Sequence, residues 1–360
     1  MKKYCKSFLF FLASVCICAY TACDPVGISG TNPGYTPGSD SALDAMVTVP
    51  AVTIEGSGTA GVFITNRTVH LSSYKMAKFE TAWTLWETVR EWATDSSRGA
   101  GVYAFVNNGV QGHQGGDASF SGKDSGTSDP NSWSDEERAR RPVTYVDWRD
   151  IIVWCNAYTE WSNAEKGTSL TPVYYFDEDV VRSSGYIAPN ASILAVEIRR
   201  QNNGFRLPTE AEWECAARGG KPGESDWNFK FAGSDALLEV AWCLSNASGS
   251  GKGKEYGAHP VGLKTPNSLE IYDMSGNVFE YCDDYGNVSG TNVPVVPTGE
   301  VTDPTGPVAP GSGTSRILRG GSWGYSNSAE NRCEVKSRGN EPSTAKNVHI
   351  GFRVAQSIID

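Results

Sequence analysis

Two stretches of the chain place apolar residues at helical spacing. In FETAWTLWETVREWA, the residues that share one face are Ala82, Trp86, Val89 and Ala93. In DWRDIIVWCNAYTEW, they are Trp148, Ile151, Ile152, Cys155 and Tyr158. This spacing predicts an amphipathic helix in each stretch, and Asp147 is suited to cap the second one. The tryptophans expected in the packed core, and not around a cofactor, are Trp83, Trp86, Trp154 and Trp161.

A shorter helix is predicted by a capping motif in GFRLPTEAEWECAARGG. Glu212 follows Thr209 by three residues, which is the spacing of a capping box, and two glycines end the helix. Alternating or β-branched runs predict strands in MVTVPAVTI, VHLSSYKM, RILRGG and HIGFRVA. Residues 107–134 are rich in Gly, Ser and Asp, and residues 288–314 in Pro, Val and Gly, so both are expected to be irregular.

The start of the chain has the features of an export signal. Three lysines precede an apolar run (residues 8–20) that is too short to span a bilayer, and small residues then precede Cys23. This order predicts a lipoprotein signal peptide over residues 1–22 and lipidation of the Cys23 thiol. An ordinary cleaved signal with a chance cysteine is the alternative. Residues 23–45 predict a flexible tether, and residues 46–360 a single folded domain.

The charge balance argues against two classes of partner. The chain has 31 Lys and Arg against 41 Asp and Glu, and removing the leader takes away three of the lysines. A net negative protein does not neutralise phosphates, so nucleic acid is not an expected partner. A polybasic membrane contact is not expected either. The lipid on Cys23 is therefore the predicted contact with a membrane, and the cell envelope is the predicted location.

The sequence lacks the common catalytic motifs. The four histidines do not have the spacing of a zinc motif, NASGSGKGK departs from the phosphate-loop pattern, and no G-x-S-x-G is present. The cysteines after Cys23 are Cys155, Cys215, Cys243, Cys282 and Cys333. Their odd number allows one or two disulfides with at least one thiol left over, and the sequence does not give the pairing.

The stretch EIYDMSGNVFEYCDD is suited to bring hard oxygen ligands together. Asp273 and Glu280 flank a turn that contains Gly276 and Asn277. A tight turn can aim two carboxylates and the carbonyls between them at one point, and calcium prefers such a set of oxygens. The residue order is not that of an EF-hand loop, so a solvated acidic turn is the alternative interpretation.

Five stretches together resemble a known family. They are RRPVTYVDW, GFRLPTEAEWECAARGG, YDMSGNVFEYCDD, RILRGGSW and IGFRVA. They occur in the order typical of formylglycine-generating enzymes, also called sulfatase-modifying factors, and the resemblance covers residues 46–355. It implies an α+β fold of the C-type-lectin-like kind, with few helices, short strands and much ordered loop.

The resemblance also implies a structural calcium ion. In family members with bound calcium, the positions that match Asp273 and Glu280 supply side chains, and those that match Gly276 and Val278 supply carbonyls. Such an ion holds loops in place and takes no part in the reaction.

The family's copper ligands are missing from this chain. Its enzymes oxidise a substrate cysteine to formylglycine with copper and oxygen, and two thiolates hold the copper, as suits soft Cu(I). The matching positions, six and eleven residues after Arg319, are Tyr325 and Glu330. Cys333 lies three residues too late, and one thiol does not make a two-thiolate site. No copper is therefore expected.

Two functions of different classes follow from the resemblance. The first is a surface or envelope lipoprotein, at the outer membrane or cell surface, that binds an unknown protein or small-molecule ligand through residues 323–347. Some lipoproteins of this family vary this segment by diversity-generating retroelements, and its Tyr, Ser and Asn content suits adaptable contacts. The candidate ligand-binding residues are Trp323, Tyr325, Asn327, Glu330, Asn331, Cys333 and Lys336. An ordinary polar loop is the alternative for this segment.

The second function is enzymatic. A formylglycine-generating oxidase would need a replacement thiol, from Cys282 or Cys243, to complete the copper site. Another reaction in the same cleft belongs to the same alternative.

Overall fold

Short strands and few helices make up the described part of the fold. The computed structural model describes residues 43–112, 133–187, 196–247, 257–286, 296–307, 315–324 and 332–359. The predicted α+β class is confirmed. Within these ranges, no helix has both the length and the apolar character needed to cross a membrane. The predicted leader, Cys23 and most of the predicted tether lie in residues 1–42, outside the described residues.

Two of the three helices predicted from the sequence begin at the predicted capping residues, Asp147 and Thr209, and the first begins after Ala82 without a side-chain cap. The α-helices in the described ranges are α1 (Trp83–Thr94), α2 (Asp135–Arg140), α3 (Trp148–Lys166), α4 (Glu210–Ala217), α5 (Leu237–Val240) and α6 (Leu244–Ala247). The side chain of Asp147 caps α3 by accepting from the amide of Asp150 at 3.2 Å. Thr209 and Glu212 form the predicted capping box of α4. Short 3₁₀ turns cover Ser96–Gly101, Ser184–Tyr186 and Ser225–Asn228.

Four sheets occur among the described strands. The strands of the N-terminal half are β1 (Met46–Val49), β2 (Val52–Glu55), β3 (Arg67–Leu71), β4 (Tyr74–Ala77), β5 (Tyr174–Phe176) and β6 (Asp179–Val180). Those that follow are β7 (Glu197–Ile198), β8 (Phe205–Arg206), β9 (Phe279–Tyr285), β10 (Gly299–Thr302), β11 (Ser315–Arg319), β12 (Gly339–Pro342), β13 (Ile350–Gly351) and β14 (Ala355–Ser357). The sheet orders are β1-β4-β14-β8, β10-β3-β2, β12-β11-β9-β13 and β6-β5-β7.

The β12-β11-β9-β13 sheet lies between two apolar cores. Alternate residues of its strands face opposite sides, as expected for strand geometry. Tyr281 of β9 and Leu318 of β11 belong to one core, whereas Cys282 and Ile317 belong to the other. All five residues of β11 are buried. This doubly covered sheet is the rigid support for the segment that follows β11.

The tryptophans of α1 and α3 pack in the core, as predicted. Trp86 and Trp154 are fully buried and stack with ring centroids 5.6 Å apart. Trp83 and Trp161 are partly buried and pack against the same core. Stacked and edge-on aromatic contacts add to the stability gained from burial.

One sequence prediction about loops is wrong in part. Residues 288–314 were expected to be irregular, but the structure places β10 within them, paired in parallel with β3. β10 is short and mostly exposed, and its partner is distant in sequence, so no local pattern marks it. In the other expected excursion, Val110 forms a bridge with Thr144, and residues 113–132 lie outside the described ranges.

Candidate functional site

The predicted binding segment, residues 323–347, is attached to the turn before β9 at two places. On entry, the amide of Trp323 donates to the Asn277 carbonyl at 2.8 Å. On return, the Ser275 hydroxyl donates to the Cys333 carbonyl at 2.8 Å. The chain then forms β12, which pairs antiparallel with β11. Residues 325–331 are therefore joined at both ends to positions fixed by hydrogen bonds.

Two glycines allow the chain to come close to its neighbours at the start of this segment. Gly321 has a φ of 77°, and a Cβ there would lie 2.7 Å from the Cys333 sulfur. A Cβ on Gly324 would lie 2.4 Å from Cε1 of His349. Larger residues at these positions would push the returning chain away.

The structure describes three of the predicted ligand-binding residues. Trp323 and Cys333 are buried, so their side chains pack in apolar clusters and are not exposed to a ligand at the surface. The Lys336 side chain is half-exposed and pairs with Glu334 at 3.1 Å. The remaining candidates, Tyr325, Asn327, Glu330 and Asn331, lie outside the described residues.

A cavity of about 140 Å³ lies beside this segment, where β9, β12 and β13 meet. Its lining residues are Phe279, Leu318, Arg332, Gly339, Asn340, Glu341, Asn347, His349 and Ile350. Sequence reasoning missed these residues, although Arg332, Asn340, Glu341 and Asn347 lie within the predicted segment. Their polar character could have marked them as candidate binding residues. That they line one cavity depends on the pairing of β9, β11, β12 and β13, which the sequence does not show.

The cavity combines polar groups with an apolar floor. Burial raises the pKa of Glu341, and the guanidinium of Arg332 opposes that shift. Burial lowers the pKa of His349 to about 4, so this imidazole is neutral at pH 7. The His349 ring lies 4.4 Å from the Trp323 ring, centroid to centroid. A neutral imidazole, a guanidinium and amides can recognise a polar ligand by hydrogen bonds.

The turn predicted to hold calcium contains a buried acidic cluster. Asp273 adopts a left-handed backbone with a φ of 58°. Its Oδ2 accepts from the Gly262 amide at 2.7 Å, while Oδ1 is buried with no hydrogen-bond donor among the described residues. Burial raises the pKa of Asp273 to about 6, although the Gly262 amide acts in the opposite direction. The free oxygen on Asp273 fits a cation.

Glu280, the second predicted calcium ligand, already has strong partners. Its Oε1 and Oε2 accept from Arg353 at 2.7 Å each, and Oε2 also accepts from the Trp213 indole at 2.7 Å. Oε2 accepts two hydrogen bonds and Oε1 accepts one, so Oε1 is the Glu280 oxygen that keeps a lone pair for a cation. No three His, Cys, Asp or Glu side chains in the described ranges are grouped as a metal site. The predicted site would use only two side chains, with the carbonyls of Gly276 and Val278.

Glu80 is a third buried carboxyl at this turn, and sequence reasoning missed it. Its oxygens accept from the side-chain amide of Asn277 at 2.6 Å and from the amide of Val278 at 3.0 Å. Burial raises the pKa of Glu80 well above its ordinary value, and Asp273 and Glu280 raise it further. Glu80 lies far from the turn in sequence, so only the fold reveals it.

The five described cysteines are buried thiols, and none of them forms the disulfides that the sequence allowed. Cys282 belongs to a different core from Cys333. Cys243 shares a small cluster with Cys333, surrounded by apolar residues such as Phe231 and Leu237. A catalytic copper needs a position open to oxygen and substrate. These buried thiols do not offer one.

Comparison with known proteins decides the family. The model of the sulfatase-modifying factor enzyme 1-like domain matches residues 36–358. The chain belongs to the sulfatase-modifying factor family. A formylglycine-generating enzyme of Streptomyces coelicolor is 35% identical over 159 residues, which span 42% of this chain and 46% of that protein. The similarity to this enzyme therefore covers less than half of either chain.

Two other similar proteins match a larger share of this sulfatase-modifying factor family member. The chaperone protein LppX of Paenibacillus barcinonensis is 31% identical over 63% of this chain and 73% of its own length. The structure of variable protein 1 of Treponema denticola superposes with a TM-score of 0.62 and 29% identity. That superposition covers 89% of this chain and 97% of the variable protein. The predicted fold is thereby confirmed over nearly the whole domain.

Proposed function

We propose that this family member is an envelope lipoprotein that binds a ligand through residues 323–347 and does not oxidise cysteine. The observation that carries the proposal is the combination of two features at one place. Tyr325 and Glu330 stand where the family's enzymes have copper-binding cysteines. The adjoining cavity is polar and rests on a sheet that is buried on both faces.

The form of the segment supports a binding role. A rigid framework that carries a polar segment between fixed ends is the arrangement used by many recognition loops. The likeness to variable protein 1 over almost its full length supports a display role for the same segment. The description of LppX as a chaperone protein supports use of this domain to bind another protein. The ligand class follows from the cavity: a polar small molecule or a protein side chain.

We place the protein in the cell envelope, anchored by a lipid on Cys23 and exposed at the outer membrane or cell surface. The leader pattern of residues 1–22 supports this location. Diversification of residues 323–347 by a retroelement belongs to the same proposal. Comparison of this gene among isolates, with changes concentrated in that segment, is the observation that would support it.

A structural calcium ion at the Asp273 turn is also part of the proposal. Asp273 would supply its free Oδ1, and the carbonyls of Gly276 and Val278 would complete the set with Glu280. A bound cation would add positive charge beside the buried carboxyl groups of Asp273 and Glu280, which already lie near Arg353. Its role would be to stabilise the turn that holds Trp323.

Binding arrays test the central part of the proposal. The wild-type protein and a variant with Tyr325, Asn327, Glu330 and Asn331 all changed to Ala are applied to arrays of glycans and of peptides. We expect the wild type to bind one class of probe, and the variant to bind it at least tenfold more weakly. Both proteins should have the same melting temperature, because the four residues lie between fixed ends.

A matched control changes Lys221 and Glu224, an exposed pair that lies outside the proposed surface, to Ala. This control should bind like the wild type. Equal binding by the wild type and the four-residue variant would show that the recognition surface lies elsewhere. The four-residue variant tests ligand binding only. The oxidase alternative requires copper and is tested separately by copper titration.

A further inference from the structure

A second and larger cavity is lined by residues of β3, α4, β9 and β10. Its volume is about 500 Å³, within the range of roughly 300–1,000 Å³ typical of small-molecule sites. Five charged residues line it: Arg67 at the start of β3, Glu210 at the start of α4, Asp284 on β9, Asp303 just after β10, and Arg338. The described residues that line it differ from those that line the smaller cavity, although Arg338 and Gly339 are adjacent in sequence.

Two of the five charged side chains in this cavity, Glu210 and Arg338, are paired with each other. Glu210 accepts from Nε and Nη2 of Arg338 at 2.5 Å each, and Nε of Arg319 lies 3.6 Å from the same carboxylate. Glu210 is thus compensated by two guanidinium groups. Asp284 accepts from the Glu210 amide at 2.8 Å. Burial raises the pKa of Asp284 to about 7, with Glu210 adding to the shift, so its charge is incomplete at neutral pH.

Arg67 has no comparable partner. The residue is only 6% exposed, and its Nη1 donates to the Val62 carbonyl at 3.1 Å. Its Nε is buried without a hydrogen-bond acceptor among the described residues, and Glu210, Asp284 and Glu214 act on the guanidinium through their charge. A buried guanidinium donor without an acceptor is costly and calls for a partner outside the chain. The Nε edge of a guanidinium matches a carboxylate.

The remaining walls of the cavity are mostly apolar. Val62, Ala211, Val301 and Pro304 contribute aliphatic surface, and no aromatic ring lines the cavity among the described residues. Aliphatic walls favour an aliphatic ligand body over a stacked sugar or base. The three acidic side chains of the lining, Glu210, Asp284 and Asp303, repel a doubly charged phosphate more strongly than a singly charged carboxylate.

We propose that this cavity binds a small aliphatic carboxylate, with the carboxylate on Arg67 and the chain against the valine and proline walls. Arg338 is shared with residues 323–347, but Arg67 and the apolar walls lie outside that segment. The protein would therefore have one recognition surface and one small-molecule site of different composition.

Calorimetric titration of the whole folded domain with hexanoate, hexanamide and inorganic phosphate tests the proposal. Hexanoate should bind with one-to-one stoichiometry, and hexanamide and phosphate at least tenfold more weakly. Arg67→Gln should weaken hexanoate binding at least tenfold. Thr305→Trp should do the same by filling the cavity while leaving Arg67 in place. Because Thr305 is a half-buried turn residue, this second variant keeps the test valid if Arg67→Gln does not fold.

Controls separate this proposal from the first one. Lys221→Ala, at an exposed site away from the cavity, should bind hexanoate like the wild type. The variant with four changes in residues 325–331 should also bind hexanoate normally. Absence of saturable hexanoate binding, equal binding of hexanamide, or unchanged binding by Thr305→Trp would overturn the proposal.

Discussion

Arg353 and Glu280 form a bidentate ion pair that is fully buried. Nε and Nη2 of Arg353 each donate to the Glu280 carboxylate at 2.7 Å, and neither side chain is exposed. Nη2 of the same arginine also donates to the Tyr272 carbonyl, and Nη1 donates to the Ala77 carbonyl. One side chain thus joins β4, the Asp273 turn and β9. The segment between β13 and β14 is held to the rest of the domain through this contact.

Loss of this arginine should destabilise the protein strongly. Arg353→Met leaves the Glu280 carboxylate buried and without its partner, which typically costs about 3–5 kcal/mol. Urea unfolding followed by tryptophan fluorescence measures the change. Lys221→Ala, which breaks an exposed pair, should cost less than about 1 kcal/mol. A cost for Arg353→Met as small as that of the exposed pair would contradict the structural role of the buried pair.

Calcium should raise the melting temperature of the wild type. An ion that binds only the folded state at a hundred times its dissociation constant adds about 2.7 kcal/mol to the free energy of unfolding. Asp273→Ala should lower the melting temperature and remove its dependence on added calcium. Asp273→Asn keeps one oxygen ligand and should retain part of the response. Identical wild-type melting curves with calcium and with chelator would refute the site.

The stability of the protein should depend on pH through Asp284. Its folded-state pKa is raised from 3.8 to about 7, chiefly by burial and then by Glu210. Between these values the folded protein retains a proton that the unfolded chain has released, so stability falls as pH rises from about 4 to 7. Asp284→Asn keeps an acceptor for the Glu210 amide and should reduce this fall, on the order of 2 kcal/mol. Parallel pH profiles of urea unfolding for the two proteins would exclude Asp284 as the cause.

Local signals predicted the helices α1, α3 and α4 and several strands because their causes are local. The caps at Asp147 and Thr209 lie within three residues of the amides that they bind. In contrast, β10 depends on pairing with β3, and no nearby residue marks it. The charges around the Arg67 cavity come from β3, α4 and β9, so no sequence window contains them together.

At the turn predicted to bind calcium, too, part of the site could be predicted from the sequence and part could not. The spacing of Asp273 and Glu280 pointed to a site where carboxyl groups converge. The sequence did not indicate that Arg353 would take both oxygens of Glu280, or that Glu80 would add a third carboxyl. These contacts join distant parts of the chain, so they follow from the fold and not from spacing.

Cys23 should carry the lipid. Metabolic labelling with an alkyne fatty acid in a bacterial host should label the wild type, and Cys23→Ala should lose the label and leave the membrane fraction. Cys18→Ala changes a cysteine within the predicted leader and should keep the label, so it is the matched control. Label that persists in Cys23→Ala would show that another residue is modified.

Anaerobic titration with Cu(I) against a chromophoric competitor tests most directly whether this family member binds ligands without oxidising cysteine. Tyr325 and Glu330 replace the two thiols, and the described thiols are buried, so the folded protein should take no copper from the competitor. Changing both residues to Cys should create one binding equivalent if the scaffold is otherwise intact. Tight binding of one Cu(I) by the wild type would contradict the proposed function and favour the oxidase.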